Sequence, residues 1–90
     1  MNSRNRDNSG KLTWEMIFED FKKRQPLIAS ERMTHWCSYG WMTILVYLKG
    51  REVLTYNYDS KTAHYLTPDE IKKLPYSHKP KWAREEQNIE

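Results

Sequence analysis

The sequence predicts an α+β domain in which an N-terminal amphipathic helix packs on a three- to four-stranded antiparallel β-meander, with a short C-terminal helix. Three observations predict it. From Thr13 onward, apolar residues recur at helical spacing between a start and a stop signal. Two runs rich in β-branched and aromatic residues, Trp41 to Leu48 and Glu52 to Tyr58, flank the hairpin signal Lys49-Gly50-Arg51. Further on, Thr67-Pro68-Asp69-Glu70 has the form of a capping box.

The first helix is the best-specified element. Thr13 is placed to N-cap it, Leu12 and Ile17 occupy the two positions of a hydrophobic staple, and Glu15 lies in the first turn, where the helix dipole favours an acid. Trp14, Ile17, Phe18 and Phe21 follow i, i+3, i+4, i+7 and therefore share one stripe. Glu19 with Lys23 and Asp20 with Arg24 are i, i+4 pairs with the acid on the N-terminal side. Lys22, Lys23 and Arg24 complement the C-terminal end of the dipole. Pro26 stops the helix near Gln25, because the residue before a proline is pushed out of the α region.

After a connector at Leu27 to Ser30, Arg32 to Ser38 alternate weakly and read as a first strand, closed by a turn at Tyr39-Gly40. In the next hairpin Gly50 supplies positive φ at no steric cost. One register places Met42, Ile44 and Val46 on the same face as Leu54, Tyr56 and Tyr58; a slip of one residue would substitute Val53, Thr55 and Asn57. The first register collects the larger hydrophobic set. A second tight turn, Asp59-Ser60-Lys61-Thr62, then brings Ala63 and Tyr65 of a fourth strand onto that face. Thr67 caps a short helix with Pro68 at its first position, ended by Leu74 before Pro75. Tyr76 to Pro80 reads as irregular, and Trp82 to Gln87 as a frayed helix or a mobile end. The organisation expected is a disordered arm at 1–11, an α+β domain at 12–75 and a basic, then acidic, tail at 76–90.

Composition narrows the class. A chain of 90 residues is one domain on length, and at this size only about 60% of the unfolded surface is buried, so a few large side chains must make the core. Four Trp, six Tyr and two Phe meet that need, each able to remove roughly 150–250 Å² from water. The single Cys37 excludes an intramolecular disulfide and fits a reducing compartment. No apolar run approaches a membrane span, and no apolar stretch of signal type follows Arg4 and Arg6. The expectation is a cytoplasmic protein without a membrane partner.

Chemistry is sparse. His35 and Cys37, two apart on a strand, share a face, but two ligands are too few for a structural zinc. As a base and nucleophile they lack a third orienting group and an oxyanion hole. Glu15 with Glu19 and Asp69 with Glu70 are accounted for by capping and solvation, and Gly10, Gly40 and Gly50 are too dispersed for a phosphate loop. The sequence therefore predicts no enzyme, no metal and no cofactor, and directs attention to surfaces.

Two surfaces stand out. The sheet face away from the helix carries Trp41, Thr43, Leu45, Tyr47, Val53, Thr55, Asn57, His64 and Leu66. Left bare, it is a protein-binding face with Trp41 and Tyr47 as anchors beside Leu45 and Val53; the plainer alternative is that Ile71, Leu74, Tyr76 and Trp82 fold back over it. The second surface is basic. Lys72, Lys73, Lys79, Lys81 and Arg84 lie in a stretch without an acid, and can meet phosphates while Tyr76 or Trp82 stacks on bases, or can form only a solvated face. A net charge of +3 is weak for a dedicated nucleic-acid binder, and Glu85, Glu86 and Glu90 follow the basic stretch. An unpaired strand edge also admits a homodimer.

The stretch from Thr13 to Leu66 includes Trp14-Glu15-Met16-Ile17-Phe18-Glu19-Asp20-Phe21-Lys22-Lys23-Arg24 and Thr55-Tyr56-Asn57-Tyr58-Asp59. It resembles short proteins of Firmicute phages and mobile elements. That resemblance implies a non-enzymatic binder of a host protein in the host cytoplasm, of the kind that blocks defence nucleases, as anti-CRISPR proteins block CRISPR effectors. It carries no residue-level site. The alternative is a nucleic-acid-binding accessory protein using the basic C-terminal segment.

Overall fold

A computed structural model describes residues 12–89 of the chain; the arm expected at 1–11 lies outside the described residues. Helix α1 spans Trp14–Arg24. The Thr13 hydroxyl accepts from the Met16 N–H at 3.2 Å, and the Gln25 N–H closes the last turn on the Phe21 carbonyl at 2.8 Å. Asp20 pairs with Arg24 at 3.2 Å as the spacing predicts, whereas Glu19 reaches Lys22, at 3.1 Å, one residue short of the expected partner. Pro26 ends α1, but the chain continues through a π-helical turn at Ile28–Arg32 before the first strand.

Four antiparallel strands follow in the order β1-β2-β3-β4: β1 Met33–Gly40, β2 Thr43–Leu48, β3 Glu52–Asn57 and β4 Thr62–Tyr65. The register is the one that segregates the hydrophobic set. Ile44 faces Tyr56, Val46 faces Leu54, and Tyr56 and Leu54 face Ala63 and Tyr65. Gly50 takes φ +80° in the loop between β2 and β3, as a left-handed turn position requires.

The first turn differs from expectation. β1 runs through Tyr39 and Gly40, and the chain reverses at Trp41-Met42, with Met42 at φ +57°. Tyr-Gly has turn chemistry, but a register shift between Ser38 and Gly40 absorbs the extra residue as a bulge and the ladder extends to Gly40 opposite Thr43. Trp41 consequently leaves the sheet face and sits at the tip of the hairpin.

Each sheet face has its own core. On one, Ile17 and Phe21 of α1 pack on Ile44, Val46, Leu48, Leu54 and Tyr56, with Phe18 stacked on Trp36 at 4.6 Å between ring centroids. Trp14, at the start of the stripe, is 37% exposed and lies at its margin. On the other face Leu45, Tyr47 and Val53 pack against Ile71, Leu74 and Ala83. Ile71 belongs to α2, Pro68–Lys72, which carries the expected capping box: the Thr67 hydroxyl accepts from the Glu70 N–H at 3.2 Å and the Glu70 carboxylate from the Thr67 N–H at 2.8 Å. Ala83 belongs to α3, Lys81–Ile89, reached through a 3₁₀ turn at Tyr76–His78.

Residues 76–85 are thus built into the domain, and the expected separation of a tail at 76–90 from a domain at 12–75 gives way to a three-layer arrangement of helix, sheet and helices. Two buried hydrogen-bond systems fasten this outer layer. The Tyr47 hydroxyl donates to the His78 carbonyl. The Lys79 ammonium donates to the carbonyls of Lys72 and, at 2.9 Å, Leu74, where a cation complements the C-terminal end of α2.

A polar link fastens the inner layer. Asp20 accepts from the Tyr56 hydroxyl, from Arg24 and, at 3.5 Å, from Lys61. Burial by itself would raise the Asp20 pKa; these hydrogen bonds and the charges of Lys61 and Arg24 outweigh it and hold the carboxyl below its ordinary value. A carboxyl depressed on folding contributes stability above its unfolded pKa of about 3.9, and that stability is lost as pH falls through the folded value. Asp20→Asn is expected to cost about 1–3 kcal/mol at neutral pH. In urea titrations its difference from the parent chain should shrink as pH falls below about 4.

Candidate functional site

The most exposed large apolar side chain among the described residues is Trp41, at 83%. Its turn is held from both flanks. Gly40 pairs with Thr43, the Thr43 hydroxyl donates to the Trp41 carbonyl at 3.0 Å, and the Asn57 amide donates to that same hydroxyl at 3.0 Å. The Tyr58 N–H donates to the Met42 carbonyl at 2.7 Å, and the Met42 side chain packs on the inner core. Tyr39, 42% exposed, stands beside the tip with its ring edge-on to His78 at 5.8 Å. His78 also reaches the Ser38 carbonyl at 3.1 Å, which ties the end of β1 to the outer layer. The tip therefore presents two aromatic rings from an anchored backbone, so little conformational entropy remains to be lost on binding.

Of the four residues expected to form a protein-binding face, only Trp41 is presented. Leu45, Tyr47 and Val53 are 0%, 5% and 1% exposed, so the bare outer face gives way to the alternative in which the C-terminal segment covers it. The physical reason is that the chain supplies its own apolar cover: Ile71, Leu74 and Ala83 bury the patch that would otherwise need a partner. Burial, together with the neighbouring Cys37, pushes the Tyr47 phenol above its ordinary pKa.

The basic stretch divides in the same way. Lys72, Lys79 and Trp82 share the wall of a groove of about 1060 Å³ that also includes Arg51 and Leu66. Lys73 and Lys81 are exposed but do not line it. Arg84 is half-buried, its guanidinium 5.6 Å from the centre of the Tyr76 ring. Arg51 was not legible as a site residue. It comes from the β2–β3 loop and lies over the Trp82 ring at 4.8 Å, a contact between positions far apart in the chain.

His35 and Cys37 both serve Tyr47. The His35 ring stacks on Tyr47 at 4.0 Å, where partial burial, aided by the charge of Arg84, holds its pKa below the ordinary imidazole value. The Cys37 sulfur lies 3.7 Å from the Tyr47 hydroxyl. Among the described residues no group of three or more His, Cys, Asp or Glu side chains is placed to share a metal ion, and no helix is long and apolar enough to cross a membrane. No protein-family model, no curated protein and no solved structure matches the chain.

Proposed function

We propose that this chain is a non-enzymatic binding domain that engages a partner protein through the β1–β2 hairpin tip, with Trp41 as anchor and Tyr39 beside it. The observation that carries this reading is an indole 83% exposed on a turn whose backbone is tied on both sides. Tryptophan and tyrosine dominate binding hot spots because they desolvate a large area with few rotatable bonds. The resemblance to phage and mobile-element proteins makes a host-defence nuclease, such as a CRISPR effector, the partner class to test first.

Trp41→Ala tests the reading. The indole contributes little to either core, so the melting temperature should stay near that of the parent chain, while partner affinity falls by roughly 30-fold or more, as for a hot-spot residue. Unchanged inhibition of the nuclease and unchanged binding by the alanine variant would remove the tip from the interface. If the partner is a second copy of the chain, sedimentation will show a dimer that Trp41→Ala dissociates.

A further inference from the structure

We infer that the groove between the β2–β3 loop, α2 and α3 binds single-stranded nucleic acid, with a phosphate held by Lys72 and Lys79 and a base stacked on the Arg51–Trp82 pair. The first ground is Lys79. It is 5% exposed and lines the groove, yet among the described residues no carboxylate lies within ion-pair distance of its ammonium. Its hydrogen-bond partners are the two carbonyls at the end of α2, which use two of the three N–H groups an ammonium carries. A buried charge whose partners among the described residues are dipoles favours an anion alongside it.

The second ground is the sign of the surroundings. Lys72, an exposed side chain, adds positive charge to the same wall. Glu52, the one acid in the lining among the described residues, is already engaged by Arg32. The third is the stacking surface. Trp82, half-buried against the outer core, carries the Arg51 guanidinium over its ring at 4.8 Å, and both indole and guanidinium planes accept an unpaired base. At about 1060 Å³ the groove reaches the top of the roughly 300–1,000 Å³ range of small-ligand sites. An acidic peptide would satisfy the cations but has no base for the stacked pair, so a nucleic-acid strand uses more of what the groove offers.

The test is fluorescence anisotropy of a labelled ten-nucleotide oligothymidylate with the full chain, titrated from low to moderate salt. Saturable binding is expected, with a log–log salt slope of about −1.4 from two cations at ~0.7 each. Lys72→Glu should reduce the slope and weaken binding, whereas Lys73→Glu, one residue along but off the wall, should stay near the parent value. Trp82→Leu, which keeps apolar packing and removes the ring, should weaken binding roughly 5- to 150-fold with the melting temperature monitored in parallel. Trp41→Ala should bind the oligonucleotide like the parent, which separates this site from the hairpin tip. No oligonucleotide binding at low salt would overturn the inference. So would equal binding of an oligoglutamate peptide, equal binding of thymidine monophosphate, or equal losses from Lys73→Glu and Lys72→Glu.

Discussion

A chain stopped at Pro75 is expected to lose its cooperative thermal transition, bind a hydrophobic dye and self-associate. The truncation removes Trp82 and Ala83 from the outer core, the Lys79 ammonium from the end of α2, and the His78 carbonyl from the Tyr47 hydroxyl. Leu45, Tyr47 and Val53, all nearly inaccessible in the full chain, would then be partly uncovered, since Ile71 and Leu74 remain but Trp82 and Ala83 do not. Re-exposing on the order of 200 Å² of apolar area costs about 5 kcal/mol at ~25 cal/mol per Å². The Tyr47 hydroxyl and two helix-end carbonyls lose partners as well, each at about 1 kcal/mol. The sum is comparable with the whole stability of a small domain, about 5–15 kcal/mol. A truncated chain that melts cooperatively as a monomer near the parent temperature would show that residues 76–89 are dispensable cover.

Phe21→Ala is the second large effect, and it acts on the opposite face. The ring is fully buried, tilted against Tyr56 at 5.6 Å and alongside Phe18 at 6.4 Å. Replacing a buried phenylalanine by alanine costs about 3–5 kcal/mol through lost transfer energy and the cavity left behind. For a domain of this size that lowers the melting temperature by roughly 12–40 °C. The 11 residues of α1 are too few to be helical without the sheet, so weakening this contact also loosens the helix. Because Tyr56 bonds Asp20 and also packs on the adjacent Phe21, Phe21→Ala and Asp20→Asn share a partner and should not be additive. Circular dichroism melts of the two single variants and the double variant measure the coupling.

What the sequence discloses follows from where its patterns are redundant. The pairing of β2 with β3 was legible because alternation and loop length independently point to Ile44 opposite Tyr56 and Val46 opposite Leu54. The capping box at Thr67 and Glu70 was legible because it is local. The hairpin tip was misplaced because Tyr39-Gly40 carries turn chemistry, while the residue that takes positive φ is Met42, which has no turn preference. The cover over the outer face is hard to read from the sequence for a different reason. Two of the residues that build it, Lys79 and Ala83, are a charged residue that reads as surface and a small one that reads as neutral. The alternation that places Trp41 on the outer face fails at the bulge before it, and the contact of Arg51 with Trp82 is set by tertiary packing alone and leaves no trace in the sequence.

The covering of β2 and β3 by α2 and α3 has a consequence for biosynthesis. The strands leave the ribosome before the residues that shelter them, whereas α1, on the opposite face, is already made when they appear. A nascent chain therefore passes through an interval in which Leu45, Tyr47 and Val53 are synthesised but bare. During that interval it is a substrate for chaperones and a candidate for misassociation between neighbouring chains. Slowing translation beyond Asn57, the end of β3, should lengthen this window, so the yield of folded protein depends on how fast the covering segment is delivered.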